Sequence, residues 1–249
     1  MKSSDFRRQA RESLANIWGK GVAITAAYLV ILIAIELLLT LTVIIPLLNV
    51  LIAIAYIVIS VPISYGLISV FMKLKRKEEV KAFDFFKDGF SNFGKAWKIA
   101  GHVLLKLLVP IILMIVLYFA IAYCMSALLI LALTTETISV LHLIVLIISF
   151  IGLPCVSIWL SIKSLFYAFV YPIAYDNPDM KAKDVLLRSK ELMTNNRWKY
   201  FVLILTFIGW ILLAVIPFGI GFLWVLPYIQ VAQICFYEYL CSKKEENNA

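Results

Sequence analysis

Charge, histidine and the local signatures of catalysis are scarce in this chain. Only 15% of its 249 residues are charged and 2 are histidine. No HExxH, GxSxG, Walker loop or dinucleotide fingerprint occurs, so the short motifs of zinc hydrolases, serine hydrolases and nucleotide enzymes are missing. Cys124, Cys155, Cys235 and Cys241 form no CxxC pair, and no histidine lies within a few residues of any of them. Metal spacing is therefore absent, and small apolar residues in packed or lipid-facing helices are the simplest reading. No catalytic, metal or cofactor-binding residue is assigned, and a non-enzymatic protein without a cofactor is expected.

What the chain does have is apolar surface. Its residues are 63% hydrophobic, and the mean hydropathy is +0.96, far beyond a soluble domain. Runs at 21–45, 50–72, 103–133, 139–175, 200–216 and 218–241 approach or exceed the roughly 20 residues a span needs. The first is too long for a signal h-region and is expected to stay as a span. Breaks at "PLLN" (46–49), "TTETI" (134–138) and Pro217-Phe218-Gly219 turn the chain back. The expected fold is an all-α membrane protein with six transmembrane helices as three hairpins. The fourth run is longer than a bilayer as one helix, and Gly152, Pro154 and Pro172 are the residues that kink it.

Positive charge sits on one side of this pattern. Of the 23 Lys and Arg, all but Lys106 and Lys163 fall in 2–20, 73–98, 181–199 and 243–244. The opposite turns carry only Glu136. By the positive-inside rule both termini are cytoplasmic, in a multi-pass protein of the bacterial cytoplasmic membrane. The net charge of +8 is explained by this orientation, and no nucleic-acid partner is expected.

Three basic segments precede the hairpins. "SSDFRRQARESLANIW" (3–18), "FDFFKDGFSNFGKAWK" (83–98) and "DMKAKDVLLRSKELMT" (179–194) each read as a cytoplasmic amphipathic interfacial helix. Each ends in an Asn followed shortly by Trp and Lys, at 16–20, 92–98 and 195–199. Three units, 3–72, 80–175 and 179–241, form a single membrane domain over 1–242, with a polar tail at 243–249. In the second segment Phe83, Phe86, Phe90, Phe93 and Trp97 share one helical face. With Lys95, Lys98, Trp18, Trp198 and Lys199 they are the candidate interfacial lipid contacts, the lysines meeting anionic headgroups. Packing of the stripe on the protein's own helix ends is the other reading.

Polar residues inside the runs form a second candidate site. Glu36 is the one carboxylate well within a span, and Tyr56, Ser60 and Ser64 recur at fourfold spacing opposite it. Ser157 and Ser161, with Ser149, and Gln230 and Gln233, with Tyr237, do the same on later runs. Such a line either conducts a small solute or ion, or glues helices together by hydrogen bonds.

From 189 the chain reads "SKELMTNNRWKYFVLILTFIGWILLAVIPFGIGFLWVLPYIQVAQICFYEYL". With Asn196, Trp198, Lys199, Gly209, Trp210, Gly219, Gly221, Pro227, Tyr228 and Tyr237, it resembles the closing signature of a bacterial family of multi-span membrane proteins of unknown function. That family is distantly similar to the membrane region of some glycerophosphodiester phosphodiesterases. The resemblance implies fold and location and carries over no catalytic residue. The expected role is engagement of anionic lipid or a membrane-protein partner in envelope maintenance or protection. A transporter or channel built around Glu36 is the alternative.

Overall fold

The computed structural model describes residues 2–133 and 140–246, with side chains from 129 to 133 left aside. The expected turn at 134–138, with Glu136, lies outside the described residues. The helices are α1 (Ser3–Leu14), α2 (Trp18–Leu41), α3 (Pro46–Lys75), α4 (Asp84–Ser91), α5 (Phe93–Leu133), α6 (Val140–Ser164), α7 (Val170–Asp176), α8 (Ala182–Met193), α9 (Arg197–Leu205), α10 (Ile208–Val215) and α11 (Phe222–Glu246). A 3-10 turn at Leu165–Tyr167 separates α6 from α7. The chain divides into two compact units, one of residues 1–100 and 168–249, the other Gly101–Tyr167.

Local chemistry fixes the boundaries. The carboxylate of Asp5 accepts from the Lys2 backbone N–H at 2.8 Å, and Asp84 accepts from Lys81 at 2.8 Å, so each helix starts with a first-turn acid on an unpaired donor. The first turn falls at 42–45 rather than at the expected 46–49, because Pro46 opens α3 in the position where a missing N–H costs nothing. Asn49 holds that turn, its Nδ2 donating to the Leu39 carbonyl at 2.7 Å and to Thr42 Oγ1 at 3.2 Å. Pro172 lies in the first turn of α7, and the long fourth run breaks just before it, at 165–169, rather than at Gly152 or Pro154.

Among the described residues, five helical segments are long and apolar enough to cross a membrane: Trp18–Leu41, Pro46–Lys75, Phe93–Leu128, Val140–Asp176 and Arg197–Val215. The expected sixth span is overturned. Its run belongs to α11, which carries Gln230, Gln233, Glu238 and three tyrosines and forms the centre of the first unit. Helices α1, α2, α3, α8 and α10 all pack against it. Phe236 is fully buried, with Phe6 edge-on at 5.0 Å, Tyr200 at 5.4 Å and Phe169 at 6.0 Å. Each such ring contributes about 1.5–3 kcal/mol on burial. A helix wrapped by other helices tolerates amides and phenols that lipid would not.

The pattern of three hairpins, each led by an interfacial helix, falls with the sixth span. The apolar face of α1 (Phe6, Ala10, Leu14) is buried, with α1 packed on α11. In α8, Val185, Leu186, Leu192 and Met193 are buried, and α7 and α11 are its neighbours. Both helices belong to the protein core. In the second unit, the Leu117 side chain lies so close to Gly152 that an added Cβ would meet it at 3.2 Å, and the Tyr123 and His142 rings stack at 5.8 Å.

Candidate functional site

The expected helix across 83–98 is two helices. Asn92 leaves helical geometry at φ −110° and ψ 23°, and its Nδ2 donates to the Asp88 carbonyl at 3.0 Å, ending α4 one residue before α5 begins. The face of α4 that packs on α3 is not the aromatic stripe but Phe85, Asp88 and Gly89. A Cβ on Gly66 would stand 1.9 Å from the Phe85 carbonyl oxygen, and one on Gly89 would stand 2.2 Å from that of Pro62. Backbone meets backbone at this crossing. Asp88 Oδ2 secures it by accepting from Ser69 Oγ and Lys73 Nζ, both at 2.7 Å.

Locked by that face, α4 leaves its stripe uncovered. Phe83 is 61% exposed, Phe90 45% and Phe93 38%, with Phe86 half-buried. Phe85, Phe86, Phe90 and Phe93 form a stacked ladder at 4.8, 6.2 and 6.2 Å. Lys87 and Lys98 are exposed beside it. Two of the expected lipid contacts turn inward instead. Lys95 Nζ donates to the carbonyls of Ala174 (2.7 Å), Asn177 (3.0 Å) and Pro178 (2.7 Å), closing the end of α7. Trp97 Nε1 donates to the Val58 carbonyl at 3.1 Å. Trp18 is half-buried near Tyr228, whereas Trp198 is 72% exposed next to Phe201, with Lys199 exposed as well.

Within the first unit, Glu36 stands apart from the polar residues of α3. Tyr56, Ser60 and Ser64 of α3, with Tyr28 of α2, line a cavity of about 70 Å³. Glu36 is outside that lining and exposed. Ser60 donates to the Ile57 carbonyl and Ser64 to that of Ser60, so both hydroxyls are satisfied by their own helix. In the second unit Ser157 and Ser161 back-bond likewise, to Leu153 and Ser157. Gln230 and Gln233 are half-buried on α11.

A charged cluster that local pattern could not reveal joins α3, α7 and α11. Lys75 pairs with Glu238, Arg76 with Asp176 at 2.7 Å, and Tyr237 donates to the same Asp176 carboxylate at 2.9 Å. Burial pushes the Tyr237 phenol well above its ordinary range, with Cys241 and Asp176 adding to it. Burial also raises the Cys241 thiol. It raises that of Cys235 against the opposing charge of Lys75. Beside the cluster a cleft of about 550 Å³ is lined by Gln9, Glu12, Lys75, Lys77 and Glu238 among others, with cations and carboxylates in balance. A second pocket, of about 270 Å³, gathers Lys199, Lys243 and Lys244 around Asn195, Asn196 and Glu191.

The protein is an integral membrane protein with several spanning helices. No curated protein and no solved structure matches it. One family does match, over residues 1–244, and the chain belongs to it: the family described as "Protein of unknown function (DUF975)".

Proposed function

We propose that this is a non-enzymatic protein of the bacterial cytoplasmic membrane, its termini cytoplasmic, which engages anionic lipid through exposed aromatic and basic side chains in envelope maintenance or protection. The observation that carries the reading is the stripe of Phe83, Phe90 and Phe93, left exposed although the opposite face of α4 is locked to α3. Aromatic rings are favoured at the boundary between headgroup and acyl chain, and adjacent Lys87 and Lys98 suit phosphate-bearing headgroups. Conduction has less support, since Glu36 lies outside the cavity lining and the serine hydroxyls are already bonded.

The test is Phe86→Ser, Phe90→Ser and Phe93→Ser together in the full chain, reconstituted in nanodiscs containing phosphatidylglycerol. Retained anionic lipid, read by native mass spectrometry, is expected to fall while helix content and melting temperature hold, because the packed face of α4 is untouched. A collapse of melting temperature with lipid retention unchanged would overturn the reading in favour of an internal packing role.

A further inference from the structure

We propose that the pocket between the end of α8, the start of α9 and the end of α11 binds the phosphate of an anionic lipid headgroup. The proposal rests on the lipid reading above and gives it a place.

Charge distinguishes this pocket. Three lysines, Lys199, Lys243 and Lys244, line it with a single carboxylate, Glu191. Glu191 is taken by Lys244 through a direct hydrogen bond. Lys199 and Lys243 have no carboxylate partner among the described residues, and both are exposed. The pocket therefore keeps two uncompensated positive charges facing a volume of about 270 Å³. In the larger cleft Lys75 is paired with Glu238, and the lining holds as many carboxylates (Glu12, Glu238) as lysines (Lys75, Lys77), so no comparable excess exists there.

Position selects the source of the anion. The fifth span begins at Arg197, so Lys199 lies within one turn of the boundary where hydrocarbon gives way to headgroups. Trp198, 72% exposed, stands beside Phe201 with ring centroids 5.4 Å apart, an aromatic pair at that same level. The left-handed Asn195, at φ 67°, reverses the chain between α8 and α9 and brings Lys199 into one pocket with two lysines of α11. Ammonium groups converging at headgroup depth match a phosphodiester anion, whose oxygens accept several charge-assisted hydrogen bonds. A lipid also presents its acyl chains to the ring pair, which a free phosphate does not.

The experiment measures phosphatidylglycerol binding to the full chain in nanodiscs, for the wild type, Lys199→Gln/Lys243→Gln and Lys199→Arg/Lys243→Arg. The glutamine pair is expected to lose roughly thirtyfold in affinity and the arginine pair to retain it. All variants are expected to keep their melting temperature, since the altered side chains are exposed. Millimolar inorganic phosphate added as competitor is expected to leave lipid binding unchanged. Equal competition by inorganic phosphate would overturn the lipid assignment in favour of a free-anion site. Unchanged affinity in the glutamine pair, with loss in the Phe86/Phe90/Phe93 variant, would overturn the pocket while the general lipid reading stands. A wild type that binds phosphatidylcholine as well as phosphatidylglycerol would overturn both.

Discussion

Trp97 donates its indole N–H to the carbonyl oxygen of Val58, 3.1 Å away on α3. That carbonyl lies four residues before Pro62, which has no N–H to return to it. The indole replaces the hydrogen bond the proline removes, in a span where water is not there to do so. Trp97→Phe is expected to cost about 1–2 kcal/mol in detergent-solubilised protein. Pro62→Ala in that background is expected to recover part of it, since the backbone bond can re-form. A double-mutant cycle by thermal or denaturant unfolding checks the coupling; strict additivity would disconnect the two residues.

The crossing of α3 and α4 allows no side chain at two positions. Gly66→Ala and Gly89→Ala each drive a methyl into a carbonyl of the facing helix, at 1.9 and 2.2 Å, and neither backbone can rotate away. Each is expected to destabilise the protein by about 3 kcal/mol or more. Gly19→Ala and Gly94→Ala, with nothing within 4 Å of the added atom, are expected to be neutral or slightly stabilising. Melting temperatures of the four variants separate steric exclusion from a general intolerance of substitution.

Thiol reactivity reports on the α11 core. Cys235 and Cys241 have their thiols raised chiefly by burial, so less thiolate is present at neutral pH than at an exposed cysteine. Maleimide labelling of both is expected to be slow at pH 7 in the folded protein and to accelerate as the pH rises, reaching the free-thiol rate only after denaturation. Fast labelling of Cys235 in the folded state would contradict the buried position of α11.

Glu191 offers a pH test of the lysine pocket. The hydrogen bond from Lys244 holds its carboxyl below the usual carboxylate range, so it stays ionised through mildly acid pH and protonates only further down. A depressed carboxylate contributes stability above its unfolded value and loses it as pH falls through the folded one. On this exposed site that contribution is small. Its effect on charge is larger. Glu191→Gln is expected to strengthen phosphatidylglycerol binding at neutral pH by freeing Lys244, and the wild type is expected to approach the variant only at pH below the usual carboxylate range. Titrated lipid binding of the two proteins checks both statements.

The apolar runs were legible in the sequence because length and hydropathy are local properties, and five of them appear as span-length helices. What hides from a single sequence is the company a helix keeps. The run in α11 is less apolar than the others, and protein rather than lipid surrounds it; its glutamines and tyrosines are the local sign of that. Periodicity placed Phe86, Phe90 and Phe93 on a common face, but could not show that the facing helix needed glycine and aspartate more than rings. The basic residues were equally visible as charges. That Lys95 closes the end of α7, or that Lys199 meets Lys243, depends on partners far along the chain.

The burial of α11 bears on how the protein is made. Helix α1 leaves the ribosome long before α11, yet it packs Phe6 against Phe236 and Tyr239 of that later helix. Until α11 emerges, Phe6, Ala10 and Leu14 lack their main packing surface, and the earlier spans of the first unit enter the bilayer without their central helix. Native packing of α1 therefore waits until α11 has been made. Nascent chains arrested before residue 222 are expected to remain sensitive to quality-control proteases, however many of their spans have already been inserted.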